Sequence, residues 1–316
     1  MPRLLTYALI VLLTAATAYL GWRFHRIGAP GSAGISELTT PDRAAPPRTR
    51  KANDKRKPPV PHLVRQLTQP GKHLSEQIEA VRALPDDLDH AEFTALVDIL
   101  HQTSPPKTDP GRWYTLQNEI MEVLRQPRFT REGYPGAMAG LVADRHADPV
   151  MRDYAAQHLA LYLGDRADSL PEETLNNALD ALLGVLSGSR EAHQQVAGTT
   201  LMALCDLDTR RPGLLNTRRP VLEASIANFL APESQASLAN RIAAIQAAGR
   251  MTFTALRPEI RSLAEAETTN ASLKLSSIAA LGYFADPADK TFLTNLAEGS
   301  SKLRFAASTA LKNFDN

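Results

Sequence analysis

The chain has 316 residues with 35 Lys/Arg against 34 Asp/Glu, 43% hydrophobic but only 6% aromatic residues, and one cysteine, Cys205. A single cysteine excludes an intramolecular disulfide and a cysteine-rich metal cluster, and a core of Ala and Leu with few aromatics points to closely packed helices over a β-sandwich. The balanced charge hides a division: residues 1–72 carry 12 Lys/Arg against 3 Asp/Glu, residues 73–316 carry 23 against 31, so the folded part is acidic and ill suited to a broad nucleic-acid footprint.

The first element is LLTYALIVLLTAATAYLGW, residues 4–22, nineteen residues without charge. As a helix it is about 28 Å long, enough for a hydrocarbon core. Tyr19 and Trp22 fall where interfacial aromatics belong, and Arg23 and Arg26 end the run. Two readings of residues 1–27 stay open. One is a transmembrane signal-anchor. The other is a cleaved signal peptide, with Arg3 as its n-region and the ATA at 16–18 as its cleavage pattern. The anchor is favoured because the apolar run continues past that site. The expected location is a single-pass bacterial inner-membrane protein with its folded domain facing the periplasm; the alternative is a secreted or periplasmic protein.

Residues 28–72 are rich in Pro, Gly, Ser and charge and read as a disordered basic linker. Its cluster RTRKANDKRK, residues 48–57, suits anionic lipid or nucleic acid, or is a solvated spacer.

From residue 73 the pattern becomes helical. HLSEQIEAVRAL and LDHAEFTALVDILHQ predict a helix pair acting as an N-terminal cap, followed by the exposed loop TSPPKTDPG. An internal repeat then sets in. Arg152, Arg241, Lys274 and Arg304 are each followed, three and four positions on, by mostly small residues: Ala155 and Ala156, Ala244 and Ile245, Ser277 and Ile278, Ala307 and Ser308. Weaker copies start at Gln117 and Gln194. The origins are spaced by 35, 42, 47, 33 and 30 residues. Between them lie further amphipathic runs bounded by Pro, Gly, Asp or Asn. The unit is two helices and a turn, with one helix kept thin so that its neighbour can approach.

The pattern resembles short, Ala/Gly-rich HEAT repeats, best in DPVMRDYAA, where Asp148, Pro149, Val150, Arg152, Ala155 and Ala156 match the Asp-Pro turn, Arg and paired Ala of that family. Asp286 and Pro287 look like another such turn. The resemblance implies an all-α fold, an α-solenoid of about five to six helical hairpins occupying residues 73–316.

Several residues invite a chemical reading. The basic origins would form a ladder at one height, either receiving an acidic partner or pairing with acids and carbonyls of neighbouring repeats. Asp86, Asp89, His90 and Glu92 hold a one-turn Asp/His spacing that suits a metal, but they also sit at a helix start, where acids suit the dipole. Asp144 and Asp148 in DRHAD, and Asn270 in the glycosylation-like NAS, read as caps. Cys205 reads as a small buried hydrophobe. Arg210, Arg211, Arg218 and Arg219 bracket a Pro-Gly turn and form the basic patch of the folded part, either an anionic contact or a solvated loop.

Solenoids offer broad contact surfaces and no inherent chemistry. The expectation is therefore a membrane-tethered scaffold or adaptor that binds a protein partner and is not an enzyme. It carries no catalytic, cofactor-binding or metal residue, and takes no cofactor, nucleic acid or small-molecule substrate. The same resemblance implies an enzymatic alternative, since some HEAT-like folds act as bilin lyases or as DNA glycosylases. A glycosylase needs a basic face with aromatics, whereas this acidic region holds one tryptophan, Trp113. A third reading makes the basic linker the active element.

Overall fold

The computed structural model describes residues 67, 72–86, 88–101, 110–129, 133–187, 191–299 and 302–314, which belong to one unit, Lys57–Asn316. The hydrophobic N-terminal segment and most of the linker lie outside the described residues. Within them the chain is all-helical, without a strand: α1 (Leu74–Arg82), α2 (His90–Leu100), α3 (Pro110–Arg125), α4 (Gly133–Ala143), α5 (Pro149–Arg166), α6 (Glu172–Ser187), α7 (Glu191–Arg210), α8 (Arg219–Leu230), α9 (Leu238–Arg250), α10 (Arg257–Glu265), α11 (Ala271–Phe284), α12 (Pro287–Glu298) and α13 (Arg304–Leu311).

Local chemistry sets the helix starts. Asp89 and Glu92 form a reciprocal capping box on α2. Asp148, Ser237, Asn270 and Asp286 each accept a backbone N–H at the start of α5, α9, α11 and α12. Prolines occupy the first turn of α5, α8, α10 and α12, where a missing N–H costs nothing. α11 ends at Ala285 in the left-handed conformation, φ 49°, a position glycine would occupy with less strain.

The helices pack in sequence as two rows. Each even helix from α2 to α12 lies against the odd helix that follows it, making six hairpins, and the odd helices α1 to α13 stack on one another without interruption. In the even row contact is extensive between α4 and α6 and slighter between α6 and α8. This sequential two-row stack is an α-solenoid. One continuous apolar core runs between the rows, from Val81 through Leu116, Leu159 and Leu204 to Ile278. The expected N-terminal hairpin does not form as such: α1 heads the odd row against α3, and α2 pairs with α3. Leu67, in the stretch read as linker, is buried and its carbonyl accepts from Gln77 Nε2.

The small residues lie between odd helices, as the repeat predicts. Ala155, Ala156, Ala244, Ser277 and Ala307 are all buried. The approach is closest at the C-terminal end. A Cβ on Gly249 would sit 2.8 Å from the Ala280 Cα, and one on Gly282 would sit 2.7 Å from the Ala310 Cα. α9, α11 and α13 therefore touch backbone to backbone.

The N-terminal odd helices are joined differently. Arg82 of α1 meets Glu119 of α3 at 2.6 Å, and Arg125 of α3 meets Asp165 of α5 at 2.9 Å. Arg210 of α7 reaches the same Asp165 at 3.7 Å, and Arg250 of α9 meets Asp206 of α7 at 2.6 Å. One Arg–acid clip thus spans each step from α1 to α9. Beyond α9 such clips cannot form between odd helices, because α9, α11 and α13 contain no Asp or Glu.

Candidate functional site

The two ways of joining the odd row leave two different surfaces. α11 is covered by α9, α10 and α13. What these leave open is a stripe spaced by four residues, Leu275, Ala279 and Tyr283. The corresponding stripe on α9 is Leu238, Ile242, Gln246 and Arg250, and on α13 it is Phe305 and Thr309. Ile242, Leu275 and Phe305 each directly follow a basic repeat origin, so they occupy one register across three successive helices. Leu275 is 37% exposed, Tyr283 51% and Phe305 83%. Large side chains exposed in register form a patch, not scattered surface hydrophobics.

On the N-terminal half the same register is polar. It holds Asn118 and Glu122 on α3, Asp153 and Gln157 on α5, and Gln195 and Thr199 on α7. Asn118 and Glu122 are engaged by His158 and Arg125, and Asp153 by Thr199, although one Asp153 carboxylate oxygen is buried without a hydrogen-bond partner. His158 Nε2 donates to Asn118 Oδ1 at 3.0 Å, and its Nδ1 lies 3.7 Å from Glu122, which Arg125 also holds. Burial, helped by Arg125, pushes His158 down to about 3, so the imidazole is neutral at physiological pH. Burial pushes the Asp153 carboxyl up to about 6, against the opposing hydrogen bond from Thr199 and charge of Arg152.

The residues singled out in the sequence separate into distinct roles. Arg152 is buried, and its Nε donates to the Val142 carbonyl near the end of α4 at 3.0 Å. That is a structural pairing, but within its own hairpin rather than with a neighbouring repeat. Arg241 and Lys274 are half-buried, Arg304 is exposed, and none of the three pairs with an acid among the described residues. The arginines around the Pro-Gly turn do not form an open basic patch. Arg210 meets Asp165, Arg211 meets Asp168, and Arg218 reaches Asp180 and Asn176. Arg219 reaches Asp208 and the Met251 carbonyl while stacking on Phe253. They are staples between repeats.

Asp89 and Glu92 are committed to the cap of α2, and among the described residues no group of three His, Cys, Asp or Glu side chains is placed to hold a metal. Asp148 caps α5 and also accepts from the Tyr114 hydroxyl at 2.7 Å. Asn270 caps α11. Cys205 is buried, which pushes its thiol up to about 12 and leaves it unreactive as a nucleophile.

One cluster escaped the sequence reading. Asp289 on α12 is fully buried and receives Arg257 Nε at 2.8 Å and Arg261 Nη1 at 2.7 Å, both from α10, while Arg261 lies over Phe292 at 3.8 Å. It pins α10 to α12 in the more open part of the even row. The one-turn spacing of Arg257 and Arg261 was its only sequence signal.

No family model matches the chain, and no curated protein matches it. Solved structures do align with it. Human deoxyhypusine hydroxylase in complex with glycerol does so at 16% identity over 81% of this chain and 96% of its own, with a TM-score of 0.33. A designed armadillo repeat protein covers 81% and 99% at 14% identity and TM-score 0.40. Computationally designed armadillo repeat proteins for modular peptide recognition cover 81% and 99% at 15% identity and TM-score 0.38. The likeness is one of helical-repeat architecture. One expectation is corrected here. The sequence reading took the chain to be no enzyme, whereas the first of these structures is of an enzyme, and that expectation is withdrawn.

Among the described residues no helix is long and apolar enough to cross a membrane; the run at 4–22 lies outside them.

Proposed function

We propose that the protein is a helical-repeat scaffold that holds a protein partner against the open face of its odd row, on α9, α11 and α13. The observation that carries this reading is the register of Ile242, Leu275 and Phe305, reinforced by Tyr283. Three successive helices place apolar side chains at one repeat position, exposed on α11 and α13 and half-buried on α9, while the same position in α3, α5 and α7 is polar. A chain that tolerates this exposure beside well-clipped neighbours gains something from covering it.

The array is best described as HEAT-like, on the Asp148-Pro149 turn, the inward Arg152 and the paired Ala155 and Ala156. We further propose that residues 4–22 tether it to a bacterial inner membrane with the array on the periplasmic side, a reading that rests on the apolar run and its Tyr19, Trp22 and Arg23 boundary. Protease accessibility in spheroplasts tests this: digestion of the array by external protease is expected, and its complete protection refutes it.

The scaffold reading is tested by co-purification of the full chain from solubilised membranes. A partner retained by the natural protein and by Val221→Glu, a 52% exposed position on α8, is expected to be lost from Leu275→Glu/Phe305→Glu. Equal retention by that double variant refutes the reading.

A further inference from the structure

The chemistry of the partner follows from an asymmetry of charge along the odd row. α3, α5 and α7 mix acids, Glu119, Glu122, Asp153, Asp165, Glu191, Asp206 and Asp208, with Arg112, Arg125, Arg152, Arg166 and Arg210, and several of the acids are engaged in clips and hydrogen bonds. α9, α11 and α13 carry Arg241, Arg250, Lys274 and Arg304 and no acid. Arg250 is held by Asp206. The other three have no acidic partner among the described residues, and each immediately precedes a residue of the apolar register: Ile242, Leu275 or Phe305.

This local excess of positive charge stands within a region, 73–316, that holds 23 basic residues against 31 acidic ones. An acidic segment is repelled by the domain at large and drawn to this end of the odd row. A basic segment, the chain's own residues 48–57 included, meets the reverse field. The apolar register adds a second requirement, since a purely charged strand would leave Leu275 and Phe305 uncovered.

We propose that the face of α9, α11 and α13 docks a protein segment in which acidic and apolar side chains are mixed. The apolar groups cover Ile242, Leu275, Tyr283 and Phe305, and the carboxylates reach Arg241, Lys274 and Arg304. This rests on the scaffold reading above and specifies its partner. An unpaired cation on a part-exposed surface gains most from a carboxylate when neighbouring apolar contact removes water from the pair.

The test uses the purified full chain in detergent and three pools of short synthetic peptides with matched apolar content, one acidic, one neutral and one basic, alongside a single-stranded oligonucleotide. The acidic pool is expected to be retained at least about tenfold better than the others, with affinity falling as salt is raised. Lys274→Glu/Arg304→Glu is expected to lower that binding about tenfold, and Leu275→Glu to do the same, while Lys290→Glu on α12 leaves it unchanged; helix content by circular dichroism confirms that each variant folds. Preferential retention of the neutral or basic pool, binding of the oligonucleotide in place of peptide, or acidic binding indifferent to Lys274 and Arg304 each overturns the inference. If no pool binds while partner co-purification still depends on Leu275 and Phe305, the charge assignment falls and the docking face stands. If both fail, both fall.

Discussion

Replacing Gly249 by Ala should destabilise the array although it improves the intrinsic propensity of α9. The added Cβ would lie 2.8 Å from the Ala280 Cα and 2.9 Å from its Cβ, whereas carbon atoms rest about 3.5–4.0 Å apart. α11 must therefore retreat by about 1 Å. It cannot do so freely, because α10 and α13 hold its other flanks. Overpacking of this kind costs about 1–3 kcal/mol, against roughly 1 kcal/mol gained by exchanging Gly for Ala in a helix. The net expectation is a loss of about 0–2 kcal/mol. Gly184 in α6 is the control, since a Cβ there meets nothing within 4 Å, and Gly184→Ala should gain about 0.5–1 kcal/mol. Urea unfolding of the full chain, followed by circular dichroism, measures both. Hydrogen exchange should place the Gly249→Ala loss on α11 and α13. In Gly282→Ala, whose Cβ would press on terminal α13, exchange should rise on α13 first. A Gly249→Ala protein as stable as Gly184→Ala would refute backbone contact as the joint of this half.

Other outcomes follow from the same geometry. Asp289→Asn keeps the shape but removes the buried acid that Arg257 and Arg261 share, leaving them Asp286 at 3.4 Å and Glu265 at 2.6 Å respectively. Because both arginines stay 23% exposed, the loss in urea unfolding should be about 2–3 kcal/mol, below the roughly 3–5 of a fully buried pair. Ala285→Gly should gain about 0.5–1 kcal/mol in the same assay by relieving the left-handed turn after α11. The pH dependence of stability should show two opposed contributions between about pH 4 and 6. His158 has a folded value lowered to about 3, so its contribution is lost as pH falls below the usual histidine range. Asp153 has a folded value raised to about 6, so its contribution is lost as pH rises through that window. Relative to the natural chain, Asp153→Asn should lose stability more steeply on acidification from pH 6 to 4, and His158→Gln less steeply; identical slopes in all three would contradict the assignments.

The architecture was legible because its cause is local. The mostly small residues three and four positions after the basic origins announce close helix packing, and Asp-Pro, Asn and Ser announce the turns. The pairing of helices was less legible at the N-terminus, where α1 and α2 look like any other amphipathic pair and only long-range packing assigns α1 to the odd row. The roles of the arginines were least legible. Arg152 and Arg241 occupy the same repeat position, yet one donates to a carbonyl and the other pairs with no acid among the described residues. For Arg210 to Arg219, the sequence lists the cations together while their acids Asp165, Asp168, Asp180 and Asp208 come from α5, α6, α7 and the turn after α5. The apolar face was present in the repeat all along, one residue after each of the last three origins. It becomes visible only when the structure shows which flank of each helix its neighbours leave open.

Site-specific photo-crosslinking in cells, with the reactive side chain placed in turn at Ile242, Leu275, Tyr283, Phe305, Gln157 and Val221, tests the central claim most directly. The account predicts adducts with one protein partner at the four positions on α9, α11 and α13 and none at Gln157 or Val221. Adducts confined to Gln157 or Val221, with none at Leu275 or Phe305, would contradict it.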